Sequence, residues 1–359
     1  MQQARPPLYR AEAFCKEYRF RVPILLAPMA GACPPSLSIA VANAGGLGGC
    51  GAVLMTPTAI RDWVSEMRAG SHGPFQINLW VPGPVPHRNA AAEEAVCFFL
   101  SQWGPSVTPK AGDAQPPDFA AQCEALLEAS PSIISSIMGL YPPTFVAAMK
   151  ARAIRWFANA TTVAEARAAE QAGADAIVAQ GMEAGGHRGA FDPARAESEM
   201  VGLFSLLPAV ADAVKIPVVA TGGIADARGV AAALALGASA VQVGTGFLRC
   251  PEADSPSAWA DAIGTTLPEQ TIVTRAFSGR PGRAIATAYA LAATSPSAPA
   301  PAPYPVQRGL TKAMREAAVK SNDINRLQAW AGQSAALSVP RPAAEVVRGL
   351  WEGAQAILG

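Results

Sequence analysis

The 359 residues carry a formal net charge of +1 and are 50% hydrophobic and 15% charged, a balance that excludes a disordered chain and offers no basic field for a nucleic-acid backbone. The length suits one large α/β barrel or two ordinary domains. Six scattered cysteines without a Cys-x-x-Cys pair argue against a zinc site or a disulfide framework and for a cytoplasmic chain.

The opening stretch, MQQARPPLYRAEAFCKEYRF, is charged throughout and lacks the apolar centre of a signal peptide. After it, short β-branched runs alternate with alanine-rich helical stretches. VPILLAPMA from Val22 reads as a first strand, and PSLSIAVANAGG from Pro35 as a helix ending in glycine. GGCGAVLM from Gly48 is a second strand, followed by a helix capped by Thr56 with Pro57 in its first turn. GPFQINLWV from Gly73 and SIISSIMG from Ser132 are the third and fourth, with a helix from Pro143. IRWFANAT from Ile154 is the fifth. Thr162 and Glu165 have capping-box spacing and open a helix that ends at Gly173. DAIVAQG is the sixth strand and IPVVATGG from Ile216 the seventh, followed by a helix from about Asp226 to Leu236. AVQVGTGFL from Ala240 is the eighth.

Eight strand-then-helix units, with strands apolar on both faces, predict a TIM barrel; a doubly wound open sheet is the alternative. Two stretches fall outside the alternation. Residues from about 82 to 131 form an insertion with one or two helices, a candidate lid. Residues 254–359 follow the barrel, residues 1–253, and begin a C-terminal segment. It contains SPSAPAPAPYP from Ser295, which is too rich in proline for helix or inner strand and should run extended along a surface. The uncharged runs Leu37 to Ile60 and Gly229 to Leu248 are long enough to span a bilayer, but glycine clusters break both.

Barrel enzymes place chemistry at the C-terminal ends of the strands and often bind phosphate after strands seven and eight. Strand seven ends in Thr221, Gly222 and Gly223, and strand eight in Gln242, Val243, Gly244 and Thr245. Such turns let backbone N–H groups approach an anion, and the helix start near Ala225 adds its dipole, so a phosphorylated cofactor or substrate is expected there. His187, one of three histidines, sits in QGMEAGGHRG after strand six, on the same rim. Its ordinary pKa of about 6.5 suits proton transfer or anion binding. Glu183 could orient its ring or face solvent. Arg188 reads as a salt-bridging or surface group, and His72 and His87 as surface histidines. APMAG from Ala27 would let a flat ring lie on backbone, and Asn78 ends strand three with a donor and an acceptor. No metal-binding motif, P-loop or nucleophile elbow is present, and GGLGGCG from Gly45 sits between a helix and a strand, the wrong context for a dinucleotide fingerprint.

APMAG, QINLW, AQGMEAGGHRGAF, TGGIADARGVAAALALGASAVQVGTGFL, AFSGRP and LQAWAGQSA together resemble the FMN-dependent nitronate monooxygenases, formerly called 2-nitropropane dioxygenases, from about Pro23 to Leu337. The resemblance implies FMN at the barrel mouth. Its phosphate would lie on Gly222, Gly223, Gly244 and Thr245, with further contacts from Met29, Asn78, Gln180, Gly185 and Gln242. Trp330, Gly332 and Gln333 would close over the flavin. It makes His187 the active-site histidine, binding the substrate's developing anion or taking an α-proton. The implied reaction oxidises an alkyl nitronate with O2 to a carbonyl compound and nitrite, in a homodimer by base rate. An FMN-dependent NAD(P)H enoyl-acyl-carrier-protein reductase is the closest alternative; a phosphate-binding barrel without flavin or without turnover is further off. Ser135, Ser136, Ile137, Met138 and Gly139 depart from the family pattern, which carries aromatics at the end of strand four, so the substrate pocket should differ in shape.

Overall fold

A computed structural model describes residues 6–359. Residues 1–5 of the charged opening stretch lie outside it, and the remainder of that stretch forms the helix Pro7–Tyr18. The strands are β1 (Ile24–Leu26), β2 (Gly48–Gly51), β3 (Phe75–Trp80), β4 (Ile133–Ile137), β5 (Arg155–Ala160), β6 (Ala176–Gln180), β7 (Gly186–His187), β8 (Val218–Thr221), β9 (Ala240–Val243), β10 (Thr271–Thr274) and β11 (Gly282–Ile285). Eight of them form a parallel sheet in the order β1-β9-β8-β6-β5-β4-β3-β2. The edges meet: Leu47 N–H donates to Ile24 O and Leu26 N–H to Leu47 O, so the sheet closes into a TIM barrel. The open-sheet alternative is thereby excluded.

The period-two alternation of a strand decides what fills the barrel. Ile24, Leu26, Ile134, Trp156, Ile177, Val218 and Val241 pack outward against the helices. Leu25, Ile133, Phe157, Val178, Val219 and Ala240 point inward and form a separate apolar layer. The N-terminal helix plugs the bottom of this layer, with Phe14 and Tyr18 against Phe157. Two residues further along, five of these columns turn polar, at Ser135, Asn159, Gln180, Thr221 and Gln242, while Leu25 is followed by Ala27. The same barrel is therefore oily below and hydrogen-bonding above, and the site lies where the change occurs.

The 82–131 segment holds the helices Ala90–Leu100 and Phe119–Ala129 with a 3-10 turn, Pro109–Asp113, between them. Val96, Cys97 and Leu100 leave the barrel and pack with Phe277, Tyr289, Val306, Leu310 and Met314 of the C-terminal segment in a second core. Helix Phe119–Ala129 instead packs beside helix Pro57–Gly70, where a third barrel helix belongs. The proline-rich stretch contains neither helix nor strand, and its end carries Tyr304 to the barrel mouth. Among the described residues no helix is long and apolar enough to cross a membrane. All six cysteines are buried and unpaired.

Candidate active site

The polar ends of the inward columns floor a cavity of about 560 Å³ at the C-terminal mouth. That size is within the ordinary range for a small-molecule or cofactor site. Thr221 Oγ1 donates to Gln242 O, and Asn78 Nδ2 to Ser135 Oγ, which stiffens the floor. Asn159 lines the cavity with a buried Nδ2 that has no hydrogen-bond partner.

One end of the cavity is built from turns. Gly222 and Gly223 have φ of +112° and +68°, a backbone that side chains rarely adopt and that turns N–H groups into the space above the strand. The helix Ala227–Ala235 begins just beyond, capped by Asp226. The C-terminal segment covers this end: Gly332 N–H donates to Thr245 Oγ1 at 3.0 Å, and Ser334 Oγ–H to Gly223 O at 2.8 Å. Gly185 is needed for the same closure, because a Cβ there would lie 2.6 Å from backbone atoms of Ala331 and Gly332. Gly185→Ala is expected to cost roughly 1–3 kcal/mol of stability in denaturant unfolding, as overpacking does. Gly349→Ala is the control: a Cβ there meets nothing within 4 Å, and a helix interior favours alanine, so stability should hold or rise.

At the other end stands His187. It is not on a free loop: β7 pairs antiparallel with β11, with His187 opposite Gly282, in a three-stranded flap β10-β11-β7. The flap carries Ser278 to the ring, with Nε2 and Oγ 2.7 Å apart. Trp80 and Trp330 flank the imidazole edge-on, with centroids 4.7 and 4.9 Å away. Nδ1 has no hydrogen-bond partner among the described residues. Burial, then the charges of Arg308 and Arg280, push the ring's pKa down to about 3, so it is neutral at pH 7.

Two expectations about this neighbourhood are corrected. Glu183 neither orients the ring nor faces solvent: its carboxylate accepts Leu203 N–H at 2.9 and 3.0 Å and caps the helix Leu203–Ala213. Arg188 is neither exposed nor salt-bridged. It is buried and donates to three carbonyls, Gln180 O, Thr161 O and Glu199 O, clamping the ends of β5 and β6 beneath the histidine loop. His72 and His87 are exposed, as the sequence suggests.

Met29, Asn78, Gln180, Gly185, His187, Gly222, Gly223, Gln242, Gly244 and Thr245 all line the one cavity. Gln333 does not. Its backbone N–H donates to Glu183 O, and its neighbours Gly332 and Ser334 line the cavity instead. Gln180 is less available than its position implies, since its amide is spent on His187 O and Gly189 N–H. Sequence reasoning missed Ser278, Tyr304, Arg308 and Arg315. They come from the C-terminal segment, where no strand end marks a rim position. Ser278 lies in AFSGRP, one of the motifs quoted for the resemblance, and was the one of the four within reach.

The family model described as nitronate monooxygenase matches residues 14–353. The chain is 40% identical to a nitronate monooxygenase of Paraburkholderia phytofirmans, over 90% of both chains. It is 38% identical to a nitronate monooxygenase of Pseudomonas aeruginosa, over 95% of this chain and 98% of that one. Among solved structures it is similar to a nitroalkane oxidase from Streptomyces ansochromogenes, with a TM-score of 0.85, 35% identity and coverage of 95% and 98%. It also resembles FabK from Thermotoga maritima, with a TM-score of 0.75, 28% identity and coverage of 96% of each chain.

Proposed function

Because the chain belongs to the nitronate monooxygenase family, we propose that its cavity holds flavin mononucleotide and that an alkyl nitronate reacts with O2 beside His187, giving a carbonyl compound and nitrite. The chain is a flavin-dependent oxidoreductase acting on nitronates or nitroalkanes. Its relation to FabK is the more distant one.

The residues fit the mononucleotide. Gly222 and Gly223 would present N–H groups to its phosphate, with the start of helix Ala227–Ala235 behind them. Asn159 lines the same cavity and carries a buried Nδ2 without a partner, a polar group that a flavin's acceptors could satisfy after a small rotation of the amide. Gly186, where a Cβ would meet nothing within 4 Å, leaves flat open space beside the histidine. Bound there, the flavin supplies an electron acceptor for the substrate and a route for those electrons to O2.

The chain's own residues do the rest. Ser278 can serve His187 in two ways. When its hydroxyl donates to Nε2, Nδ1–H faces the cavity and can donate to a nitronate oxygen. When Nε2–H donates to Ser278 and the hydroxyl donates to Arg280 O, Nδ1 is a bare base. Protonating that base adds a third positive charge beside Arg308 and Arg280, and burial opposes it further. The anionic nitronate should therefore be used faster than the neutral nitroalkane. The observation that carries this reading is Arg308, a guanidinium that lines the same cavity as His187 with no hydrogen bond or ion pair among the described residues. Together they suit an anion and offer no ready proton acceptor.

The test is anaerobic. Purified protein should be yellow, should lose that colour on titration with propionate 3-nitronate, and should ignore NADH and NADPH. Bleaching by a reduced nicotinamide alone would move the chain to the reductase reading, and a colourless protein that takes up no FMN would remove the cofactor.

A further inference from the structure

Gln76 lies on β3, is fully buried and does not line the cavity. Its Nε2 donates twice, to Leu26 O and to Gln242 Oε1, each at 3.0 Å. Its own Oε1 is buried without a partner. This arrangement fixes which way two amides point. A backbone carbonyl only accepts, so Gln76 must turn its NH2 toward Leu26 O. The other hydrogen of that NH2 then faces Gln242, which can answer only with its oxygen. Gln242 Nε2 is thereby turned away from Gln76. It has no hydrogen-bond acceptor among the described residues, and Gln242 lines the cavity.

We propose that Gln76 is a positioning residue that sets the polarity of Gln242, holding its NH2 as a donor toward an acceptor atom on the flavin ring. The proposal rests on the reading above, in which flavin mononucleotide fills the cavity that Gln242 lines. A glutamine kept only for packing would be expected to satisfy its oxygen as well as its nitrogen. Here the oxygen is left unmet while both hydrogens are used, and one of the two sets the direction of a neighbour on the site. A donor at the ring favours its electron-rich reduced form, so the device would also raise the flavin's reduction potential.

Full-length, flavin-loaded variants test this by two readouts: the dissociation constant for FMN and the midpoint potential of the bound flavin. Gln242→Met should raise the dissociation constant on the order of fivefold, the worth of one ordinary hydrogen bond, and make the potential more negative. Gln76→Glu should do the same with Gln242 intact. Whether ionised or protonated, the new carboxyl offers an oxygen to Gln242, draws its NH2 inward and turns Oε1 to the cavity. Gln76→Met should give a smaller loss, because Gln242 is then free to take either orientation; it also serves if the Glu variant does not fold. In the Gln242→Met background the uncharged Gln76→Met should move neither readout further. Equal effects of Gln76→Met in both backgrounds, or no effect of either position 76 change with Gln242 intact, would overturn the proposal and leave Gln76 structural. If Gln242→Met alone changes neither readout, the ring contact is wrong and the proposal falls with it, a result distinct from the others.

Discussion

His187→Asn is expected to lower kcat/KM for nitronates about a hundredfold or more, the usual loss when a placed donor to a developing anion is removed. Asparagine can still reach Ser278 but cannot present a ring nitrogen to the cavity from the same backbone. The pH response separates this role from a structural one. The ring's folded pKa of about 3 lies below its unfolded value near 6.5. Between those values the unfolded chain binds the proton and the folded chain does not, so stability is full above pH 6.5 and is lost as pH falls toward 3. Urea unfolding of His187→Asn should show a shallower acid loss across that window, while activity falls at every pH. Wild-type turnover on nitronate should show no limb near pH 6.5, because the imidazole does not titrate there in the folded enzyme. A limb at 6.5 that vanishes in the variant would mean that the histidine is solvated and that Arg308 and Arg280 do not control it.

The barrel was legible because its signal is local. Strand, glycine and helix cap recur within each unit, and the two glycine turns fall after the strands where a barrel rim should be. The lining of the floor was also legible in principle. The inward column that reads Phe157 then Asn159, or Val178 then Gln180, changes from apolar to polar at the same height on five of the strands, and period two suffices to find it. Of the upper half of the site, Ser278, Tyr304, Arg308 and Arg315 were not legible, although His187, Trp330 and Gly332 were. Ser278 reaches His187 only because β7 pairs with β11 about a hundred residues away in sequence, and nothing in a two-residue strand announces a partner. Glu183 illustrates the opposite failure. Four residues before a histidine it looks like an orienting carboxylate, yet the open N-terminus of helix Leu203–Ala213 offers backbone N–H groups that nothing else caps, and it goes there. Gln333 lies outside the cavity for a simpler reason: it sits in the turn before the 3-10 helix Ala335–Leu337, where its backbone N–H is held by Glu183 O and Gly332 and Ser334 take the inner side.

Arg308→Met should weaken nitronate use and strengthen the resting protein, and these opposite signs are the test of what the guanidinium is for. Arg308 lines the cavity, has no carboxylate near it, and has its pKa lowered by burial. Arg315, beside it, is pushed down to about 10 by burial and then by Arg308 itself. Arg315 spends its donors on Thr311, Gln328 and the Arg308 carbonyl, all neutral. Two half-buried cations thus face each other with no carboxylate paired to either, and Glu316 offsets only part of the burden on Arg315, an arrangement that disfavours the empty fold and is relieved when an anion enters. Removing Arg308 takes away the repulsion, so denaturant stability should rise or hold. It also takes away a charge-assisted hydrogen bond, worth about 1.5–3 kcal/mol, so kcat/KM should fall roughly ten- to a hundredfold, mainly through KM. Arg308→Lys should recover most of the loss, since attraction to an anion needs the charge more than the fork. Added salt should raise KM for the wild type and leave the methionine variant nearly unchanged. A variant that loses stability and keeps its KM would assign Arg308 to the packing of the C-terminal segment and leave anion capture to His187 alone.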